Sequence, residues 1–539
     1  PTTMHLERMQ RYTNNGGMRH IPKVKTSGPL AFFEKLSKSV HKFPRYVGEL
    51  YFELHRGTYT THALIKKGNR SSELMLQFVE FVYSMLSVLS KQNKVKYPKE
   101  ELERLWKLVL LNQFHDVLPG SSIELANIDA RNIYDQVAIE LSKLMTTGMT
   151  QFSELFGEYS SSQSAASIDC RACIVNNKSW RRREIVAIRN GDSSVLSDDD
   201  KKVSQTTYDK QSLVMVEVDS CSISPLKALS SSDKVSITKK SDSNTFVMEN
   251  GLICVEILSN GVIDSLIHKA SGKQVIKKDA NSDHLGGNNL LLFEDKPLFW
   301  EAWDVEIYHL QKYQSVSLLN KENNSMKIIE QGPLRCGVEY KLQISKQSTL
   351  TQRIFVESEN GAVLFESDID WKEKHKCLKV QFPLNVRSSV ANYDIQFGFL
   401  QRPTVMNNTE DIAKFEVVGH KFADLSEFDF GCALVNDCKY GYSCFHNLMR
   451  LSLLRAPKRP DANADIHRHL IRYALLPHDE SLQKSKVNEF AQSYNNALRY
   501  VENKMNHKFA VSGMSLFQFD DSNSNQVILD TVKMAQDGS

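Results

Sequence analysis

Apolar positions recur at spacings of three and four through the first third of the chain, then give way to short runs broken by turns. Leu74, Phe78, Phe81, Val82, Met85 and Leu89 keep helical spacing over about four turns. Leu102, Leu105, Trp106 and Val109 do so in a second segment, and Ile128, Ile133, Val137, Leu141 and Leu144 approximate it in a third. The spacing predicts helices at roughly 60–91, 98–117 and 122–150. Short connections between three long helices make an antiparallel bundle the simplest packing.

From Cys170 onward the pattern is that of β-structure. Runs such as Leu213 to Val218 and Phe246 to Ile263 are punctuated by Asn250-Gly251 and Asn260-Gly261, and Asn-Gly is the strongest short-range hairpin signal. Further short strands are expected at 315–319, 337–342, 354–356, 362–370 and 378–384, and a helical pattern returns only at 481–501. Upstream of the bundle the elements alternate. Met4 to Tyr12 reads as a short helix, residues 23–27 as a strand after Pro22, and residues 30–40 as an amphipathic helix after Gly28-Pro29. That alternation suits the tail of a parallel-sheet domain. A Ser, Gln and Ala linker is expected at 160–167, and a loose, charged surface segment at 193–204. The expected fold class is an α/β remnant plus a three-helix bundle followed by large antiparallel β-sandwich domains, a multidomain α+β chain. The corresponding segments are 1–58, 59–157, 170–250 and 251–539.

Composition narrows the partners. A length of 539 residues calls for more than one domain, and 41% hydrophobic with 24% charged residues is ordinary for a folded protein. The net charge is +3, and the longest basic run, Arg181-Arg182-Arg183, is followed at once by Glu184. Neither nucleic acid nor an anionic membrane is called for. No stretch is expected to span a bilayer, since the most apolar candidate, 74–89, carries Gln77 and Glu80. Nine scattered cysteines fit reduced thiols in a cytoplasmic protein better than a disulfide framework. Cys170-Arg171-Ala172-Cys173 has redox or zinc spacing but no second pair at ribbon distance. A homo-oligomer is left open.

The chemistry concentrates in two stretches. Asn112-Gln113-Phe114-His115-Asp116-Val117-Leu118-Pro119-Gly120-Ser121-Ser122 closes the second helix with an adjacent His–Asp pair. Leu108, Leu111 and His115 fall on one helical face, so the ring is expected to point where the core residues point. A lone histidine on such a face is ordinarily a core residue. Pro119-Gly120 stops the helix, and Ser121-Ser122-Ile123-Glu124 reads as a capping box opening the next. The second stretch, residues 48–61, gathers Glu49, Glu53, His55 and Arg56 with Tyr51 and Tyr59 ahead of the first long helix. Polar turns of this kind are where α/β domains keep their sites. His467-Arg468-His469 is the one His-x-His, and two surface histidines are expected there.

The string from Asn112 to Ser122 resembles the zinc-histidine segment of the glycoside hydrolase family 38 α-mannosidases, in particular their cytosolic/vacuolar branch. Gly48-Glu49-Leu50-Tyr51-Phe52-Glu53-Leu54-His55-Arg56-Gly57-Thr58-Tyr59-Thr60-Thr61 resembles another segment of that branch. So do Phe299-Trp300-Glu301-Ala302-Trp303-Asp304-Val305, Leu453-Leu454-Arg455-Ala456-Pro457 and the run from Ala464 to His478, where the family tends to have Gly in place of His467. The resemblance implies a retaining, zinc-dependent α-mannosidase acting on mannose-containing oligosaccharides, cytoplasmic or in a vacuole- or lysosome-like lumen. It implies His115 as a zinc ligand and Asp116 as a contact to the bound sugar. Glu49, His55 and Arg56 it implies as site-lining groups, without making Glu49 the general acid. In the family the nucleophilic and acid Asp residues lie upstream of a Pro-Thr like Pro1-Thr2. The chain is therefore expected to begin just after the catalytic carboxylates, to end inside its last β-domain, and to be inactive alone. The competing expectation is a non-catalytic carbohydrate-binding or assembly module.

Overall fold

The computed structural model describes residues 2–14, 20, 22, 24–90, 95–161, 168–169, 171–189, 195–241, 243–278, 286–320, 322, 325–502, 508–509, 514–515 and 527–537. The chain divides into two compact units, Pro1–Phe52 and Glu53–Ser539.

The first unit holds α1 (Thr3–Asn14) and α2 (Pro29–Ser37), neither with a buried residue. Gly28 and Pro29 open α2 as the sequence suggests, since proline's fixed φ suits the first helical turn. The strand expected at 23–27 does not form: residues 24–28 are irregular, and Lys23 lies outside the described residues. A lone strand has no ladder to complete within this unit.

The second unit opens with the bundle, formed by α3 (Ala63–Leu89), α4 (Lys99–Leu111) and α5 (Glu124–Ser161). Leu76, Phe78, Val82 and Met85 of α3 pack with Leu102, Leu105 and Val109 of α4 and with Val137 and Leu141 of α5. Close approach of α3 to α5 needs Gly68, where a Cβ would stand 2.6 Å from the Tyr134 ring. By length and mean hydropathy α3 does reach the measure of a membrane-crossing helix, contrary to the expectation that no stretch would. Burial against α4 and α5 accounts for the apolarity, and it buries Lys66, Arg70 and Glu80 as well. α5 runs through Ser161, into the expected linker, whose remaining residues 162–167 lie outside the described residues.

Antiparallel sheets follow. Strands Ala172–Asn176 and Ser222–Pro225 pair, and Arg499–Glu502 returns from near the end of the chain to complete that sheet beside Ala172–Asn176. A three-stranded sheet, centred on Ser212–Val218, packs Val214 and Val216 against Ile174. The expected loose segment near 193–204 instead carries α6 (Asp198–Lys202), capped reciprocally by Ser197 and Asp200. Both Asn-Gly turns form, joining Thr245–Glu249, Ile253–Leu258 and Ile263–His268.

A nine-stranded sheet runs from Lys327–Gln331 through Thr349–Glu357, Val363–Asp370, Arg468–Asp479 and Phe430–Asn436 to Gly398–Pro403. A six-stranded sheet centred on Lys376–Pro383 and Leu448–Arg455 packs on it through Phe365, Tyr473 and Phe382. This sandwich completes the multidomain α+β architecture. Three further helices, α7 (Val316–Leu319), α8 (Thr409–Ala413) and α9 (Val487–Asn495), lie between strands. α7 replaces most of the strand expected at 315–319, its first turn capped by the Ser315 hydroxyl.

Candidate functional site

α4 stops at Leu111, four residues before His115. Asn112 is buried and its amide donates to the Ala130 carbonyl, while the Gln113 amide donates to Asn69 and Glu73. These anchors draw the chain into successive turns, and Pro119 bars a return to helix at Leu118. His115 therefore does not lie on an apolar face. Its side chain is 77% exposed, and Leu110, Leu111 and Phe114 are exposed with it.

The pair itself is real. His115 Nε2 lies 3.3 Å from Asp116 Oδ2, and Asp116 Oδ1 accepts from the Ser121 hydroxyl at 2.8 Å. The expected capping box does not form: α5 begins only at Glu124, and that carboxylate accepts from the Asn463 amide. Gly120 (φ +78°) closes the turn against the next segment, where a Cβ would meet the Thr61 carbonyl oxygen at 2.6 Å.

Of the second stretch, Glu49 belongs to the first unit, half-buried, with its carbonyl accepting from the Tyr46 hydroxyl. His55 sits in the left-handed region (φ +61°), held by Asp304, whose Oδ1 takes its backbone N–H at 2.8 Å and lies 3.0 Å from its Nδ1. Arg56 is buried. It donates twice to the Ala413 carbonyl and lies over the Phe415 ring at 4.5 Å. Arg455, buried and paired with Asp295 at 2.8 Å, donates to the Thr61 hydroxyl and to the Ala302 and Asp304 carbonyls. Residues 55–61 are thus bonded into the sandwich through residues that adjacency in sequence did not reveal. Asp304 and Arg455 were visible only as parts of longer motifs.

A third cluster was not anticipated. Asp465 Oδ2 and Oδ1 accept from the N–H groups of His62 and Ala63, capping α3 at 2.7 and 2.9 Å. His62 Nε2 lies 3.2 Å from Asp461 Oδ2, and Asn127 reaches both. Burial works against the charged Asp461 carboxylate, but the hydrogen bonds from His62 and Asn127 outweigh it and hold it at about 2. His467, just ahead of the strand Arg468–Asp479, and His469 within it do bring their rings together, with centroids 4.1 Å apart, yet they are not a surface pair: His469 is buried. Burial pushes His469 down to about 3 and lowers His467.

Two donor sets bear on zinc. Asp465, His467 and His469 present ligand atoms within 4.8 Å of one another. Both Asp465 oxygens are already spent on α3, however, and His469 Nε2 lies 2.9 Å from the Asp465 carbonyl. That geometry is a structural junction. His115 is open and fits as a single ligand, but zinc is held by three or four convergent donors. The described residues around His115 do not supply them.

The middle-domain family of α-mannosidases, "Alpha mannosidase middle domain", matches residues 53–152, and "Glycosyl hydrolases family 38 C-terminal domain" matches residues 248–463. Over these two domains the chain belongs to glycosyl hydrolase family 38. It is 36% identical to "Alpha-mannosidase G" of Dictyostelium discoideum over 100% of this chain and 50% of that protein. It is 37% identical to human "Alpha-mannosidase 2C1" over 99% of this chain and 48% of that protein. The yeast "Alpha-mannosidase" is 35% identical over 100% of this chain and 45% of its own length. The chain spans about half the length of the curated relatives it matches. The fold is also that of an α-mannosidase structure from Enterococcus faecalis V583, with a TM-score of 0.65 at 14% identity, covering 87% of this chain and 61% of that one.

Proposed function

We propose that the chain is the C-terminal part of a retaining α-mannosidase that removes terminal α-linked mannose from oligosaccharides. The observation that carries the reading is alignment of 99–100% of this chain with about half the length of relatives named α-mannosidase. In this reading His115 is one protein ligand to zinc, and Asp116 accepts a hydrogen bond from a mannose hydroxyl. Ser121 holds that carboxylate in place while its second oxygen stays beside the imidazole. His55 and Arg56 line the site, His55 fixed by Asp304 and Arg56 by Ala413. Zinc, when bound, polarises sugar hydroxyls and fixes the ring.

Retaining hydrolysis needs an acid and a nucleophile with carboxyls about 5 Å apart. We assign neither role to Asp116 or Glu49 and place both groups outside this chain, which is then inactive alone. We further propose a cytoplasmic location, with a vacuole- or lysosome-like lumen as the alternative. Free thiols support the first: Cys336 and Cys377 are buried, and burial raises both to about 12, where they are unreactive.

The test is hydrolysis of an aryl α-mannoside with added zinc or cobalt. The 539-residue chain should be silent beside an active full-length protein. Metal-dependent turnover by this chain alone overturns the placement of the catalytic groups.

A further inference from the structure

The turn that exposes His115 on one side lines a cleft with its Gln113, Leu118 and Pro119. The other walls are α3, the hairpin joining Val390–Ile395 to Gly398–Pro403, and α9 with the segment before it. The cavity volume is about 1080 Å³, at the top of the range of roughly 300–1,000 Å³ usual for small-ligand pockets. It has room for more than a monosaccharide. We propose that this cleft binds a neutral oligosaccharide.

Charge decides against an ionic ligand. The cationic side chains on the wall are Lys66, Arg70, Lys178 and Lys421. Facing them are the carboxylates of Glu73, Asp394, Glu489 and Asp530, equal in number. Two of the buried cations are also satisfied internally. Lys66 Nζ donates to the carbonyls of Thr61, Leu118 and Pro119, and Arg70 donates to Tyr440, Asn436 and the His420 carbonyl. Lys421 lies 3.8 Å from Asp394. No cluster of one sign is left to hold a phosphate or a metal ion.

The remaining chemistry suits hydroxyl groups and pyranose faces. Gln77, Gln396 and Gln483 make no side-chain hydrogen bond among the described residues, and each amide offers a donor and an acceptor, the complement of vicinal hydroxyls. At the hairpin tip Phe397 is fully exposed in the left-handed region (φ +59°), with Phe399 exposed beside it. A bulky residue is strained there, and it presents an apolar ring to water at the mouth of the cleft. A sugar offers both halves of that surface, an apolar ring face and a rim of hydroxyls. The cleft stands on the geometry of this chain, whereas the choice of mannose as probe rests on the function proposed above.

The experiment is calorimetric titration of linear α-mannotriose into the 539-residue chain, with mannose 6-phosphate as the anionic comparison. Saturable binding is expected, weakened about tenfold by Phe397→Ala and by the double substitution Gln396→Ala with Gln483→Ala. These positions are exposed, and circular dichroism checks that the variants fold. No saturable binding up to about 10 mM, binding that survives both cleft variants, or tighter binding of mannose 6-phosphate each overturns the proposal. Failure of the α-mannosidase reading is separate: a full-length protein that binds mannotriose at the cleft yet cleaves no α-mannoside.

Discussion

His115–Asp116 and His62–Asp461 are the same chemical pair at nearly the same distance, 3.3 and 3.2 Å. They differ in surroundings. The first is 77% and 41% exposed, the second 6% and 6%. In water an imidazole–carboxylate contact adds little to stability and leaves both groups free to meet a ligand. Out of water the same contact cannot be released without stranding a charge, so it fixes the bundle to the loop that precedes Arg468–Asp479. The exposed pair is available for chemistry and the buried pair is a lock.

Breaking the lock should have the largest effect. Asp461→Ala leaves His62 and Asn127 without their shared acceptor, and a loss of about 3–5 kcal/mol is expected, read as a lower urea midpoint for the second unit. Acid should loosen the same junction. His469 takes up a proton near 6.5 when unfolded but only near 3 in place, so the unfolded chain binds more protons between those values. Stability is complete above about pH 6.5 and falls as pH drops toward 3, and His469→Gln should flatten that slope. Gly120→Ala comes next, at about 1–3 kcal/mol, because the left-handed backbone and the Thr61 carbonyl at 2.6 Å both oppose a Cβ. Smallest are His115→Ala and Asp116→Asn, each expected to move the midpoint by less than about 0.5 kcal/mol.

Much of this architecture could be read from periodicity. The α3 stripe and the Asn-Gly turns are local signals, and local signals survive folding. The placement of His115 was not legible, because helical spacing extends a pattern until something stops it. Here the stop comes from Asn112 and Gln113 bonding to α5 and α3, which are tertiary partners. The lock was hidden for a related reason. His62, Asn127 and Asp461 are separated by 65 and 334 positions and carry no motif that joins them. The His467–His469 spacing did bring the two rings together, but alternation along a strand says nothing about which face the sandwich covers.

The proposed role of His115 in chemistry rather than stability can be tested on a single preparation. In the full-length protein, zinc content, turnover of an aryl α-mannoside and the unfolding midpoint should be measured together for wild type and His115→Ala. If His115 holds zinc, metal and turnover fall together while the midpoint stays where it was. Unchanged zinc and turnover, or a midpoint that drops as far as that of Asp461→Ala, would contradict it.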